Sequence, residues 1–214
     1  MRRKQVAVFG LGEFGYSAAV TLAEQGCHVL AVDMSEERVD AIAPQVTQAV
    51  QANLADLSTL RQIGMEGLDS VLICLSQNLE ASIMATMVAK ECGVPHILAK
   101  VQNDVQETVL RKLGADEIIY PEKAMGIRVA RSLIAGKFVD LIELTKNVSM
   151  AEMTIPAQWD GMSLVGLGLR KKGVNVIGRV EGERLVTQLD PERALCAGDT
   201  YVVVGETEAL EHLI

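Results

Sequence analysis

The feature that most constrains this chain is a glycine-rich turn, Gly10-Leu11-Gly12-Glu13-Phe14-Gly15, set between two apolar runs. Residues 6–9 read as a buried strand that runs straight into the turn. A helix-period segment follows, and a second apolar run, 28–32, ends on Asp33. Strand, glycine turn, helix, strand and acid in this order describe a Rossmann nucleotide site. Gly10 permits the tight turn and Gly12 lets the backbone approach a phosphate. Gly15, with Ala18 and Ala19, lets the helix lie close to the sheet. The open N–H groups and positive dipole end of the helix attract phosphates, and Asp33 is placed to accept hydrogen bonds from ribose hydroxyls. An acid there disfavours a 2′-phosphate, and so NADP.

Beyond Asp33 the β-α rhythm repeats. Ser35 opens a short helix that Pro44 closes, and a weak third strand covers 46–50. A helix starting at Asp56 or Ser58 leads to a buried strand at 70–75, with Ser76-Gln77-Asn78 just past its end. Residues 79–91 form a helix apolar on most sides through Ile83, Met84, Met87 and Val88. Pro95 precedes a fifth strand at 96–101, Asp104 caps the next helix, and 117–120 form a sixth strand. The fold class this predicts is α/β, a doubly wound parallel sheet. A longer crossover helix from Pro121 to about Ala135 ends at Gly136. Then the pattern turns β-rich, with strands at 139–144, 150–155, 174–180, 185–187 and 201–204 and short helices at 164–167 and from Thr207. We therefore expect a nucleotide-binding domain over 1–137 and a small α+β domain over 138–214, too small to be robust alone and expected to dimerise or pack on its neighbour.

Composition narrows the function. With 214 residues, 49% hydrophobic and 22% charged, the chain suits a soluble globular protein, and no apolar run is long enough to span a bilayer. The N-terminus lacks the apolar core of a signal peptide. A net charge of −8 argues against direct nucleic-acid binding. Cys27, Cys74, Cys92 and Cys196 have no CxxC spacing and read as small buried hydrophobes in a reducing cytosol. No reductase Tyr-Lys pair four residues apart, GxSxG, HExxH or GxxxxGK[ST] motif occurs. His28, His96 and His212 have no metal or proton-transfer partners in the pattern, so the chemistry points to a binder.

Several stretches together carry a resemblance. GLGEFG, Asp33, Ala52-Asn53, Asn78-Leu79-Glu80-Ala81-Ser82, Lys100-Val101-Gln102-Asn103, Leu113-Gly114-Ala115-Asp116 and, most distinctively, Pro121-Glu122-Lys123-Ala124-Met125-Gly126 resemble the regulatory subunits of Ktr/Trk-type bacterial potassium transporters. These are RCK-domain proteins, and the resemblance covers essentially the whole chain. It implies a cytoplasmic ring of dimers, typically eight subunits, docked beneath a membrane potassium-translocating subunit and gated by nucleotide. By position, Gly10, Leu11, Gly12, Phe14 and Gly15 would surround the phosphates and Asp33 would hold the ribose. Met34 and Arg38 would lie on the adenine side, Ala52, Asn53 and Leu54 at the adenine edge, Ser76 and Asn78 at the mouth, and Lys100 facing the phosphates.

Two positions stay open under that resemblance. Glu122 matches a carboxylate that helps bind a divalent cation, Mg²⁺ or Ca²⁺, or else it is an acid complementing a helix dipole. Glu13 stands where many ATP-responsive relatives have Arg, and it matches the Trk branch. That leaves ATP/ADP and NADH/NAD⁺ as alternatives, with a solvent-facing Glu13 equally compatible. In some relatives the C-terminal lobe binds cyclic di-AMP, for which Arg170, Lys171 and Lys172 are the candidate contacts. The rival readings are a small NAD-dependent oxidoreductase, which predicts turnover, and a regulator of another transporter, which predicts a different membrane partner.

Overall fold

In the computed structural model, which describes residues 2–135 and 138–213, strands and helices alternate through the first half. They are β1 (Gln5–Phe9), α1 (Glu13–Glu24), β2 (His28–Asp33), α2 (Glu36–Ile42), β3 (Gln48–Gln51), α3 (Leu57–Ile63) and β4 (Ser70–Ile73). Then come α4 (Leu79–Glu91), β5 (Ile97–Lys100), α5 (Asp104–Leu113), β6 (Glu117–Ile119) and α6 (Pro121–Ala135). The six strands pair in parallel in the order β3-β2-β1-β4-β5-β6. Parallel strands must be joined by crossovers that place helices on the faces, so the central strands are apolar on both sides. Phe9, Ile73 and Ile97 are buried with Leu60 and Leu110 in one layer, and Val8, Ala31, Ile42 and Leu72 in the other. Truncating one such side chain to alanine costs about 2–5 kcal/mol. The chain order reverses between β1 and β4, which opens a crevice at the carboxyl ends of the strands, where ligands of open α/β sheets bind.

The helix starts explain where that crevice is reactive. Ser35 caps α2, Asp56 caps α3, Asn78 caps α4 and Asn103 caps α5, each accepting from a backbone N–H of the first turn. Among these first five helices only α1 has no side-chain cap; its N-cap is Gly12. Its first-turn amides therefore remain available to a ligand.

By contacts the chain divides into two units, Met1–Glu122 and Lys123–Ile214. The division expected after residue 137 falls beside Gly136 and Lys137, which lie outside the described residues, as does the helix break expected at Gly136. Along α6, Met125, Ile127, Val129 and Leu133 are exposed. The second unit holds a five-stranded antiparallel sheet, β7 (Phe138–Thr145), β8 (Val148–Thr154), β9 (Val174–Glu181), β10 (Arg184–Val186) and β11 (Thr200–Glu206), in the order β10-β9-β11-β8-β7. It also holds α7 (Leu164–Leu167) and α8 (Thr207–Glu211). Its core gathers Met153, Ile155, Trp159, Leu167, Val174, Val203 and Leu210. The expected α/β sheet followed by an α+β lobe is the observed architecture.

Three local expectations are corrected. The cap of α5 is Asn103 rather than Asp104, because the Asn103 side chain accepts from the Gln106 amide and Asp104 begins the helix itself. The buried side of α4 consists mainly of small residues, Ala81, Ser82, Ala85, Thr86 and Ala89 with Val88, while Met87 is exposed. Close packing of a helix onto a sheet favours small side chains over long ones. The cysteines are not uniformly buried: Cys27, Cys74 and Cys92 are half-buried and Cys196 is exposed.

Candidate nucleotide-binding site

The glycine turn is built by steric necessity. Gly10 has φ +91°, and a Cβ there would lie 2.8 Å from the carbonyl oxygen of Cys74 on the neighbouring chain segment. A Cβ on Gly15 would sit 1.9 Å from the Gly10 carbonyl oxygen, so the helix rests directly on the turn. Gly12 differs: a Cβ on it would meet nothing within 4 Å. Two glycines are thus required by the protein's own packing, while the space over Gly12 is open at the uncapped end of α1. That is the arrangement a phosphate needs for close backbone approach.

Asp33, buried at the tip of β2, is the turn's electrostatic anchor. One carboxylate oxygen accepts from the Leu11 amide at 2.6 Å and lies 3.5 Å from the Arg38 guanidinium; the other accepts from the Ser35 amide at 2.9 Å. A carboxylate has about four lone-pair sites, so capacity remains for a ribose hydroxyl. Leu11 supports the turn from within, its amide engaged by Asp33 and its side chain buried.

The remaining predicted residues fall around the same edge. Met34 is exposed just beyond Asp33, and its carbonyl accepts from Gln51. The Ala52 amide donates to the Asp33 carbonyl, Leu54 is buried, and exposed Asn53 turns its side-chain oxygen onto the Ala55 amide. Ser76 is buried at the end of the β4 loop, and the Asn78 side-chain oxygen caps α4. Glu13 is exposed in the first turn of α1. Cys74, beneath Gly10 and Gly15, has its thiol pushed up to about 12 by burial, with nearby Lys100 pulling the other way. At neutral pH it is a packing residue and not a nucleophile.

Lys100 ends β5 beside the turn. Its ammonium lies 5.8 Å from the centre of the Phe14 ring and 2.5 Å from a Glu122 carboxylate oxygen at the start of α6. The hydrogen bond from Lys100 holds the Glu122 carboxyl below the usual glutamate range. Among the described residues no group of three or more His, Cys, Asp or Glu side chains is arranged to hold a metal. Glu122 by itself offers a cation one carboxylate, which here is bonded to Lys100. Phosphate oxygens and water would have to supply most of the ligands.

Two contributors were not singled out from sequence. Gln106, buried in α5, donates its side-chain amide to the Ser76 carbonyl at 2.9 Å and accepts from the Gln102 amide at 2.8 Å. It ties two loops of the carboxyl edge together. A glutamine on the otherwise apolar side of an amphipathic helix was the available signal. The second is the contact between Phe14 and Lys100, which depends on tertiary placement.

Residues 6–121 match the TrkA-N domain family. The chain belongs to that family. Its relatives extend over nearly the full length. It is 38% identical over 208 residues to the Ktr system potassium uptake protein A of Vibrio alginolyticus, covering 97% of this chain and 94% of that protein. It is 34% identical over 204 residues to the Ktr system potassium uptake protein C of Bacillus subtilis, covering 95% and 92%. The fold is similar to that of part of the GsuK channel in an NAD-bound structure, with a TM-score of 0.66 at 20% identity; the match covers 99% of this chain and 39% of the channel chain. The TrkA-N match takes in the glycine turn, Asp33 and Lys100 and stops one residue short of Glu122. The Ktr relationship continues through the second unit.

Proposed function

We propose that this TrkA-N protein is the nucleotide-sensing regulatory subunit of a bacterial potassium uptake system. The observation that carries the reading is the full-length relationship to Ktr potassium uptake proteins. A glycine cradle alone is shared by many functions, whereas relatedness through both units ties this cradle to potassium uptake. The protein acts by binding and not by turnover. It works in the cytoplasm at the inner membrane face, through a membrane potassium-translocating partner. No helix among the described residues is long and apolar enough to cross a membrane.

The ligand is an adenine nucleotide. Gly10, Gly12, Phe14 and Gly15 receive its phosphates and Asp33 its ribose, with Met34, Arg38, Ala52 and Asn53 bordering the base. Exposed Glu13 favours ligands whose phosphate chain ends early or is esterified, since a carboxylate repels a free terminal phosphate. ADP and NAD(H) share that diphosphate, and ATP then requires a cation, Mg²⁺ or Ca²⁺, between Glu122 and its phosphates. Gating requires that the nucleotide bind one arrangement of the assembly more tightly than the other. The assembly is a ring of dimers, for which the exposed apolar residues of α6 offer contact surface. Arg170, Lys171 and Lys172, exposed together on one turn, offer charge for a cyclic dinucleotide.

The test is potassium flux into proteoliposomes carrying the membrane subunit, with and without this chain and each nucleotide. The reading expects flux that depends on both the chain and the nucleotide. Flux indifferent to the chain would remove it.

A further inference from the structure

Lys100 sits where two demands meet. Its side chain is only 13% exposed, against the Phe14 ring on one side and bonded to Glu122 on the other. Phe14 belongs to the first turn of α1, whose amides are open, and Lys100 is also close enough to Cys74, under the turn, to influence its thiol. Its positive charge therefore lies beside the phosphate cradle while its bond is spent on the first turn of α6. Glu122 itself is 67% exposed, so its hold on the ammonium is weak and reversible.

We propose that Glu122 and a nucleotide phosphate compete for the Lys100 ammonium, so that the start of α6 registers the phosphate charge held at the glycine turn. This rests on the nucleotide-binding reading and adds the device by which the site reports. Without phosphate, Lys100 pins Glu122 to the carboxyl edge of the sheet. A phosphate chain carries several negative charges against one on Glu122, so it draws the ammonium towards α1 and releases the carboxylate. Glu122 is then a specificity residue acting through Lys100. Without a bridging cation it penalises every phosphorylated ligand relative to adenosine, which has no phosphate to bring to the ammonium.

The test uses the full chain in a metal chelator, which keeps cations from bridging the anions. Calorimetric affinities for ATP, ADP and adenosine are compared in the wild type, Glu122→Gln, Lys100→Met and the double variant, and hydrogen exchange is followed over residues 121–128. Glu122→Gln is expected to tighten ATP and ADP about fivefold, the scale of an exposed ion pair, and to leave adenosine unchanged. Lys100→Met weakens both nucleotides at least fivefold, and in its background Glu122→Gln has no further effect. Exchange over 121–128 rises on ATP binding in the wild type and is already high in Glu122→Gln. Nucleotide affinities unmoved by Glu122→Gln, or adenosine tightened equally, would overturn the competition while leaving the binding site intact. A wild type that binds neither ATP nor ADP would overturn the nucleotide reading itself.

Discussion

The Leu11 amide donates to the Asp33 carboxylate at 2.6 Å, joining the glycine turn to the tip of the neighbouring strand. The acid that sequence reasoning assigns to the ribose is therefore also part of the scaffold. Asp33→Leu leaves the Leu11 and Ser35 amides and Arg38 without their acceptor, and hydrogen bonds to a charged group are worth about 1.5–3 kcal/mol. We expect a loss of about 2–4 kcal/mol in unfolding free energy by urea denaturation together with loss of nucleotide binding. Asp33→Asn, which keeps one acceptor oxygen, should lose less stability. Equal stability of wild type and Asp33→Leu would contradict the scaffold role.

The glycines separate folding from binding. Gly10→Ala forces a Cβ to 2.8 Å from the Cys74 carbonyl at a positive φ. Thermal unfolding should show it destabilised by about 1–3 kcal/mol. A Cβ at Gly12 meets nothing, so Gly12→Ala should melt close to the wild type and bind nucleotide at least tenfold more weakly. Its loss should be read by calorimetry, with circular dichroism confirming the fold. Wild-type affinity in Gly12→Ala would place the phosphates elsewhere.

How much of this was legible follows from distance along the chain. The turn, the acid at the tip of β2 and the β-α rhythm are local patterns, and each appears where the sequence places it. So does the short helix Leu164–Leu167, from a four-residue pattern. The cap of α5 is not legible to the residue, because Asn103 and Asp104 are both good caps and only backbone geometry chooses Asn103. The Lys100–Glu122 bond joins the end of β5 to the start of α6 across an intervening helix and strand, and Gln106 reaches 30 positions back to Ser76. Such pairings follow from strand order and not from spacing.

Gln106 ties the loop at Ser76 to the loop at Gln102. Gln106→Leu removes its bonds to Ser76 and Gln102 and leaves those backbone groups unpaired near the crevice. We expect about 1–3 kcal/mol of destabilisation and faster amide exchange over 75–78, measured by mass spectrometry. Unchanged exchange there would show that the loop holds itself.

The Lys100–Glu122 bond has a defined pH dependence. Its carboxyl is held below the ordinary glutamate value of 4.5 by the hydrogen bond from Lys100. A lowered carboxyl stabilises the fold fully above its unfolded-state value and loses that contribution as pH falls through its folded-state value. Chemical denaturation from pH 7 downward should therefore show the wild type more stable than Glu122→Gln at neutral pH, with that advantage shrinking as pH falls below the ordinary glutamate value of 4.5. A difference independent of pH would deny the ion pair a role in stability.

The central claim is that the cradle of Gly10, Gly12 and Asp33 binds an adenine nucleotide. Isothermal titration of the purified chain with ATP, ADP, NADH and NAD⁺ tests it most directly. Saturable binding of at least one of them at one site per chain, at least tenfold weaker in Gly12→Ala, is the expected result. No saturable heat with any of the four, from a protein that circular dichroism shows to be folded, would contradict it.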